Sequence, residues 1–216
     1  MNYIIENIVY NNVYKKNIQD KGNFGKIIPV CKESKKNEKF ALKMSKEGEL
    51  GQIRNEIKIL KLFKGKIGSE NIINLWGCDE TKGYLLLDLA EKDLGDYLKE
   101  KEIGEKKVQV IMIQIINGLK FIHHLDVVHG DLKATNILYF GKSKFKICDF
   151  GRSFLLKEKK ECERDLQNIG YLLKNDFYKS KMDKSPAEFS ELFKKLVPNP
   201  TVTAEEVYDL LVNMKF

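Results

Sequence analysis

The sequence predicts an α+β chain of two lobes, strand-rich in front and mainly helical behind. Three observations carry this. Apolar and polar residues alternate across residues 13 to 45, apolar residues recur at helical spacing in ELGQIRNEIKILKLF, and the pattern beyond Leu94 is mostly helical. At 216 residues and 43% hydrophobic content, the chain is long and apolar enough to bury a core.

Taken in order, residues 13 to 45 read as an antiparallel meander of three strands, punctuated by Gly22, Gly25 and the loop ESKKNEK. Leu50, Ile53, Ile57, Leu60 and Phe63 then mark one face of a helix. Two strand-like runs follow, NIINLWGC and YLLLDLA, separated by the turn DETKG. Residues 108 to 125, VQVIMIQIINGLKFIHHL, are apolar nearly all round, so this helix is expected to cross a core. A short hairpin, ILYF-GKSK-FKICDF, covers residues 137 to 150. Ser185-Pro186-Ala187-Glu188 and Thr203-Ala204-Glu205-Glu206 both read as capping boxes that start terminal helices, the first with proline at the first helical position. A strand-rich front and a helical rear imply a cleft fed by the segment near Leu89, with residues 1–89 as the front lobe and 90–216 as the rear lobe of a single domain, 1–216.

Composition narrows the function. Net charge is +7, but only Arg54, Arg152 and Arg164 are arginines and the lysines are spread along the chain, which reads as a solvated surface and not as a nucleic-acid site. Cys31, Cys78, Cys148 and Cys162 show no CxxC pair and no metal-ligand spacing to the three histidines, as in a reduced protein. The start, MNYIIENIVYNN, lacks the basic region and unbroken apolar core of a signal peptide, and no apolar run approaches membrane-spanning length. A soluble protein of the cytoplasm, or otherwise inside a cell including that of a host, with no membrane partner, is expected.

The chemistry concentrates in HGDLKATNIL, residues 129 to 138. A short turn-rich stretch between apolar flanks can aim Asp131, Lys133 and Asn136 at one point, a set suited to phosphate and metal. With Gly22-Asn-Phe-Gly25, Ala41-Leu-Lys43, Glu56, and Asp149-Phe-Gly151, this stretch falls in the order of the eukaryotic protein kinases. Over roughly residues 14 to 213 the chain resembles a serine/threonine protein kinase, compact and with a minimal activation segment, and the resemblance implies the bilobal kinase fold, ATP and Mg2+ as cofactors and a protein substrate.

The resemblance also assigns roles. Gly22 and Gly25 would let backbone amides approach phosphate, although GNFG alone is an ordinary hairpin turn. Lys43 would hold the ATP phosphates. It lies in the apolar strand FALKM, where an unpaired buried ammonium would cost several kcal/mol, and Glu56 is the partner expected for it. Asp131 would accept or direct the substrate hydroxyl's proton, Lys133 would neutralise the transferring phosphate, and Asn136 and Asp149 would coordinate magnesium. Ile27, Ala41 and Leu138 would sandwich the adenine, with Leu87 behind it and backbone groups near Asp88, Leu89 and Ala90 along its edge. Leu60, Leu75, Phe150 and His129 would form a second stack. His129 is expected to support the backbone, and His123 and His124 to pack or hydrogen-bond.

Several positions depart from the family pattern. Asp20 stands where the glycine loop usually begins, and Gly130 replaces the arginine that in many relatives pairs with a phosphorylated activation loop, so no such switch is expected. Asp165, sixteen positions after Asp149, matches the family's D-x-W-S-x-G helix, and the A-P-E segment is absent. Thr201 replaces the arginine that would pair with it, so no charge is orphaned. Residues 175 to 184 are too short and polar for a full substrate-docking helix, which implies an accessory protein or a whole folded substrate, as in similar compact kinases of bacterial effectors, viruses and tRNA modification. Two other functions fit the motifs less well: a pseudokinase scaffold that binds a partner, and a small-molecule kinase of the aminoglycoside or choline type, which shares H-G-D-x-x-x-x-N.

Overall fold

The computed structural model describes residues 2–13, 26–45, 50–100, 102–179 and 184–216. Asp20, Gly22 and Gly25, and with them the expected phosphate loop, lie outside these residues. The chain divides into two compact units: Met1–Lys66 with Ile73–Ala90 and Asp149–Arg152, and Ile67–Ile72 with Glu91–Cys148 and Ser153–Phe216.

The first unit is a six-stranded antiparallel sheet and one helix. Its strands are β1 (Asn2–Ile5), β2 (Ile8–Asn12), β3 (Lys26–Lys32), β4 (Lys39–Met44), β5 (Leu75–Asp79) and β6 (Tyr84–Asp88), in the order β1-β2-β3-β4-β6-β5. Helix α1 (Leu50–Phe63) follows β4 and buries Ile53, Ile57, Leu60 and Phe63 along the stripe legible in the sequence. Alternation along the strands sorts side chains to two faces. Ile28, Val30, Phe40, Leu42 and Leu86 join Ile5 and Tyr10 in a core cluster on one face. The β1–β2 hairpin supplies that cluster's outer layer and was not expected from the sequence, where its asparagines and glutamate mask a short apolar alternation. Of the three strands expected over 13 to 45, β3 and β4 form, and most of the first falls outside the described residues.

The second unit is built around α3 (Glu105–His124). Before it come β7 (Lys92–Asp93) and α2 (Leu94–Glu100), whose first turn is capped by Asp93 Oδ1 accepting from the Asp96 amide at 2.8 Å. Ile111, Met112, Ile115, Ile116, Leu119 and Ile122 of α3 are fully buried, as its all-round apolar pattern predicts. Short strands follow: β8 (Val127–Val128), β9 (Ile137–Tyr139), β10 (Phe145–Ile147) and β11 (Phe154–Leu155). β10 pairs with β9, β9 with β7, and β11 with β8. The chain then runs through α4 (Glu163–Leu172), α5 (Ala187–Leu196) and α6 (Ala204–Asn213). Thr203 and Glu206 form the expected reciprocal box at α6. At α5 the expected box does not form: Pro186 takes the cap position and the Ser185 hydroxyl pairs instead with that of Ser190, 2.8 Å away. The helix begins one residue later than the box requires, so Ser185 lies ahead of the cap position, out of register with the first-turn amides a cap would bond, and its hydroxyl turns to a neighbour. An unexpected reciprocal pair, Glu158 with Glu161, folds the segment ahead of α4 into a 3-10 turn at Lys159–Cys162.

Candidate functional site

Each unit carries one group of converging polar side chains. In the first, Lys43 projects from β4, 7% exposed, and donates to Glu56 Oε2 at 2.6 Å and to Asp149 Oδ1 at 2.8 Å. Glu56 sits on α1 among buried aliphatic residues and is itself 1% exposed. Burial works against the Lys43 charge, but the two carboxylates outweigh it and raise its pKa above the ordinary lysine value, so the ammonium persists at any physiological pH. Asp149 holds a left-handed backbone, φ 65°, a conformation that costs a non-glycine residue energy and concentrates at functional positions. Beside it Phe150 is fully buried and meets Phe63 edge to face, with centroids 5.2 Å apart, while Asn55 Nδ2 donates to the Gly151 carbonyl at 3.1 Å.

The register of the sheet adds to this group. Ile27 pairs with Lys43, Pro29 with Ala41, and Ala41 with Leu87, so Ile27, Ala41, Lys43 and Leu87 share the face opposite the core cluster. Ile27 is 43% exposed on that face. Asp88 points the other way, accepting from Trp76 Nε1 at 2.7 Å, which leaves only its backbone for the role implied by the resemblance. Leu89 is exposed and Ala90 half-buried at the unit's edge, where neither is held in a strand. Leu75 and Leu60, expected in a stack with Phe150, are buried in this unit too.

In the second unit Asp131, Lys133 and Asn136 come together. Lys133 Nζ donates to Asp131 Oδ2 at 2.6 Å, and Asn136 Nδ2 donates to the Asp131 carbonyl at 2.8 Å. The 3-10 turn Ala134–Asn136 produces this approach, and the Asn136 carbonyl accepts from the Cys148 amide at 2.9 Å, tying the turn to the end of β10. Leu138, the expected adenine neighbour of this unit, lies on β9, half-buried and paired with Lys146. His129 is wholly buried. Its Nδ1 accepts from the Asp131 amide at 3.3 Å and its Nε2 donates to the Cys148 carbonyl at 2.9 Å, which describes a support for the backbone and no catalyst. Gly130 has φ 79°, a left-handed geometry that glycine adopts freely and that the arginine expected from the resemblance would adopt only under strain.

Beneath this loop lies Asp165 of α4, 0% exposed. Its Oδ2 accepts from the His129 amide at 2.8 Å and its Oδ1 from the Gly130 amide at 2.9 Å, while His123 Nε2 stands 3.0 Å from Oδ2. The match to the family helix singled out Asp165. Its hold on the two residues before Asp131 was not legible, because His123 comes from a different helix. Burial disfavours the charged His123 ring, yet hydrogen bonds to Asp165 and to Cys162 outweigh it and push its pKa up to about 9 from 6.5. Burial likewise opposes the Asp165 charge, but the hydrogen bond from His123, with the neighbouring imidazoles and the Gly130 amide, holds its carboxyl below the usual range.

The folded chain therefore binds the His123 proton more tightly than the unfolded chain. Its stabilisation is complete below pH 6.5 and is lost as pH rises through about 9. Urea unfolding should show stability falling by about 2–3 kcal/mol across that window, a fall missing from His123→Gln. A profile as steep in the variant as in the wild type would exclude His123 as its source.

Comparison with known proteins adds relatives to this geometry. A family model described as the protein kinase domain matches residues 16–186. Mitogen-activated protein kinase mpkC of Aspergillus oryzae is 40% identical over 101 residues, covering 44% of this chain and 28% of that protein. Cyclin-dependent kinase 9 of Danio rerio is 32% identical over 164 residues, covering 66% of this chain and 42% of the relative. Mitogen-activated protein kinase mpk-1 of Caenorhabditis elegans is 40% identical over 99 residues, covering 44% and 22%. The chain thus spans less than half the length of each of these relatives.

Proposed function

The chain belongs to the protein kinase domain family, and from that premise we propose that it transfers the γ-phosphoryl group of ATP to serine or threonine hydroxyls of protein substrates. The observation that carries this reading is the trio on the second unit, where one loop brings a carboxylate, an ammonium and an amide within hydrogen-bond distance. Such a transfer asks the protein mainly for positioning and charge, so these groups suffice. Asp131 would accept or direct the hydroxyl proton. Lys133, half-exposed, would leave Asp131 for the transferring phosphate. Lys43, locked between two carboxylates, would hold the phosphates that stay behind.

Protein kinases typically use Mg2+ with ATP, and the amide oxygen of Asn136 and the carboxylate of Asp149 are the hard oxygen donors such an ion prefers. Among the described residues no three His, Cys, Asp or Glu side chains form a ready metal site, which suits an ion whose other ligands are phosphate oxygens and water. Magnesium would supply positive charge against the developing charge on the phosphates.

The short path from Asp149 to α4 supports a folded substrate or an accessory protein in place of a peptide-docking platform. The scattered lysines support no nucleic-acid partner. Four free cysteines support a reducing, intracellular setting, and among the described residues no helix is long and apolar enough to cross a membrane.

The test is transfer of label from radioactive ATP to proteins of a cell lysate. Lys43→Met should lower labelling by roughly a hundredfold or more. Equal labelling by both proteins would refute the reading, and faster ATP consumption with sugars or amino alcohols than with any protein would replace it with small-molecule phosphorylation.

A further inference from the structure

Away from the residues assigned to phosphoryl transfer, α5 and α6 of the second unit line a groove of about 550 Å³. Each helix gives it one row at the same spacing, Glu188, Glu191, Leu192 and Lys195 from α5 and Glu206, Asp209, Leu210 and Asn213 from α6. Residues three, four and seven apart share one side of a helix, so each row is a continuous face. The apolar surface of the groove comes from Leu192 and Leu210, joined by Val202 from the connection between the helices and Met214 just past α6. The helices otherwise turn Phe189 and Leu196, and Ala204, Val207 and Leu211, into the core, which leaves Leu210 38% exposed in the groove.

The charge of the groove runs against that of the chain. Four carboxylates, Glu188, Glu191, Glu206 and Asp209, stand around it against one ammonium, Lys195, in a chain of net charge +7. All five side chains belong to exposed residues. Among the described residues Lys120 pairs with Glu205 of α6, and no ion pair takes Glu188, Glu191 or Asp209. The walls are fixed before anything binds. Thr203 and Glu206 close the start of α6, Gln109 Nε2 donates to the Leu211 and Met214 carbonyls at 2.6 and 2.9 Å at its end, and Phe189 of α5 stacks on Phe216 with centroids 5.0 Å apart. Walls already ordered spare a ligand the entropy of ordering them.

We infer that this groove docks a basic amphipathic segment of a partner protein, with apolar side chains against Leu192, Leu210 and Met214 and lysine or arginine heads on the carboxylates of the two helices. Apolar burial supplies attraction, and the carboxylates select the sign of the partner, since an acidic segment would bring like charges together. A basic segment is repelled by the net charge of the chain and needs a local negative field to bind, which the two rows provide. A second copy is a poor occupant, because a two-fold contact would set the same carboxylates against themselves. The inference does not rest on the kinase reading: the partner is held whether or not it is phosphorylated.

The experiment titrates the isotope-labelled whole chain with a synthetic leucine–lysine peptide patterned as an amphipathic helix, and with the same peptide carrying glutamate for lysine, and follows amide shifts by NMR. Amides of the two groove rows should shift with the lysine peptide and stay still with the glutamate peptide. Glu191→Lys combined with Asp209→Lys should weaken binding by about tenfold, and Leu210→Ala by about threefold. Raising salt from about 50 to about 500 mM should weaken binding to the unaltered chain by about tenfold, because these charges are exposed and screened. Urea unfolding checks each variant, and if the lysine pair fails to fold, Glu191→Gln with Asp209→Asn should still weaken binding by about threefold. Shifts centred outside the groove, equal affinity for the glutamate peptide, or undiminished binding by the folded charge variant would each overturn the inference. A dimer in sedimentation that blocks the peptide would give the groove to a second copy and overturn it too. No readout needs ATP or phosphoryl transfer, so failure here and failure of the kinase reading are separate results.

Discussion

Asp131→Asn is expected to lower the rate of phosphoryl transfer by roughly two to four orders of magnitude while leaving the fold intact. The substitution keeps the shape of the side chain and the backbone carbonyl that Asn136 bonds, so the loop retains its turn. What goes is the negative oxygen that Lys133 bonds at 2.6 Å and that would orient a substrate hydroxyl. Because the Asp131 side chain is partly exposed and its ion pair with Lys133 is wet, the stability cost should stay within about 1 kcal/mol. Single-turnover kinetics beside a urea unfolding curve would separate the two effects. An unchanged rate would remove Asp131 from the reaction, and a collapsed unfolding curve would show that the residue is structural instead.

The second large effect concerns stability. Asp165→Ala should destabilise the chain by about 4–6 kcal/mol, since hydrogen bonds to a charged group are worth ~1.5–3 kcal/mol each and one buried carboxylate serves three donors here. Removing it orphans the buried amides of His129 and Gly130 and strands a protonated imidazole beneath them. Asp165→Asn should cost less, because an amide oxygen still accepts from one amide while the charge attraction for His123 is lost. A loss below about 1 kcal/mol in Asp165→Ala would mean that water reaches the site and substitutes for the carboxylate. These are the energetics of an ordinary buried network, and their interest lies in where the network ends, next to Asp131.

Much of this was legible in the sequence because the chemistry constrained it locally. A lysine within FALKM needs a counter-ion, and Glu56, on the stripe side of the only helix nearby, was the reachable one. Asp131, Lys133 and Asn136 are close in the chain, and a turn suffices to bring them together. Contacts made by distant segments were harder. The sequence placed Asp149 with magnesium, and gave no sign that it also bonds Lys43, 106 residues away. His123 was expected to pack or hydrogen-bond, but its partner could not be named, since nothing in its neighbourhood announces a carboxylate from α4. Ser185 misled because a capping box was read from residue types alone, and the helix starts one residue later than that reading placed it.

The division of the chain at Asp149 has one last implication. Residues 149–152 belong to the unit made otherwise of the first ninety residues, and residues 67–72 to the other. A fragment ending at Ala90 would therefore carry Lys43 and Phe63 but neither the carboxylate nor the ring that complete their surroundings. The two halves are interleaved along the polypeptide, and no single cut yields either of them whole.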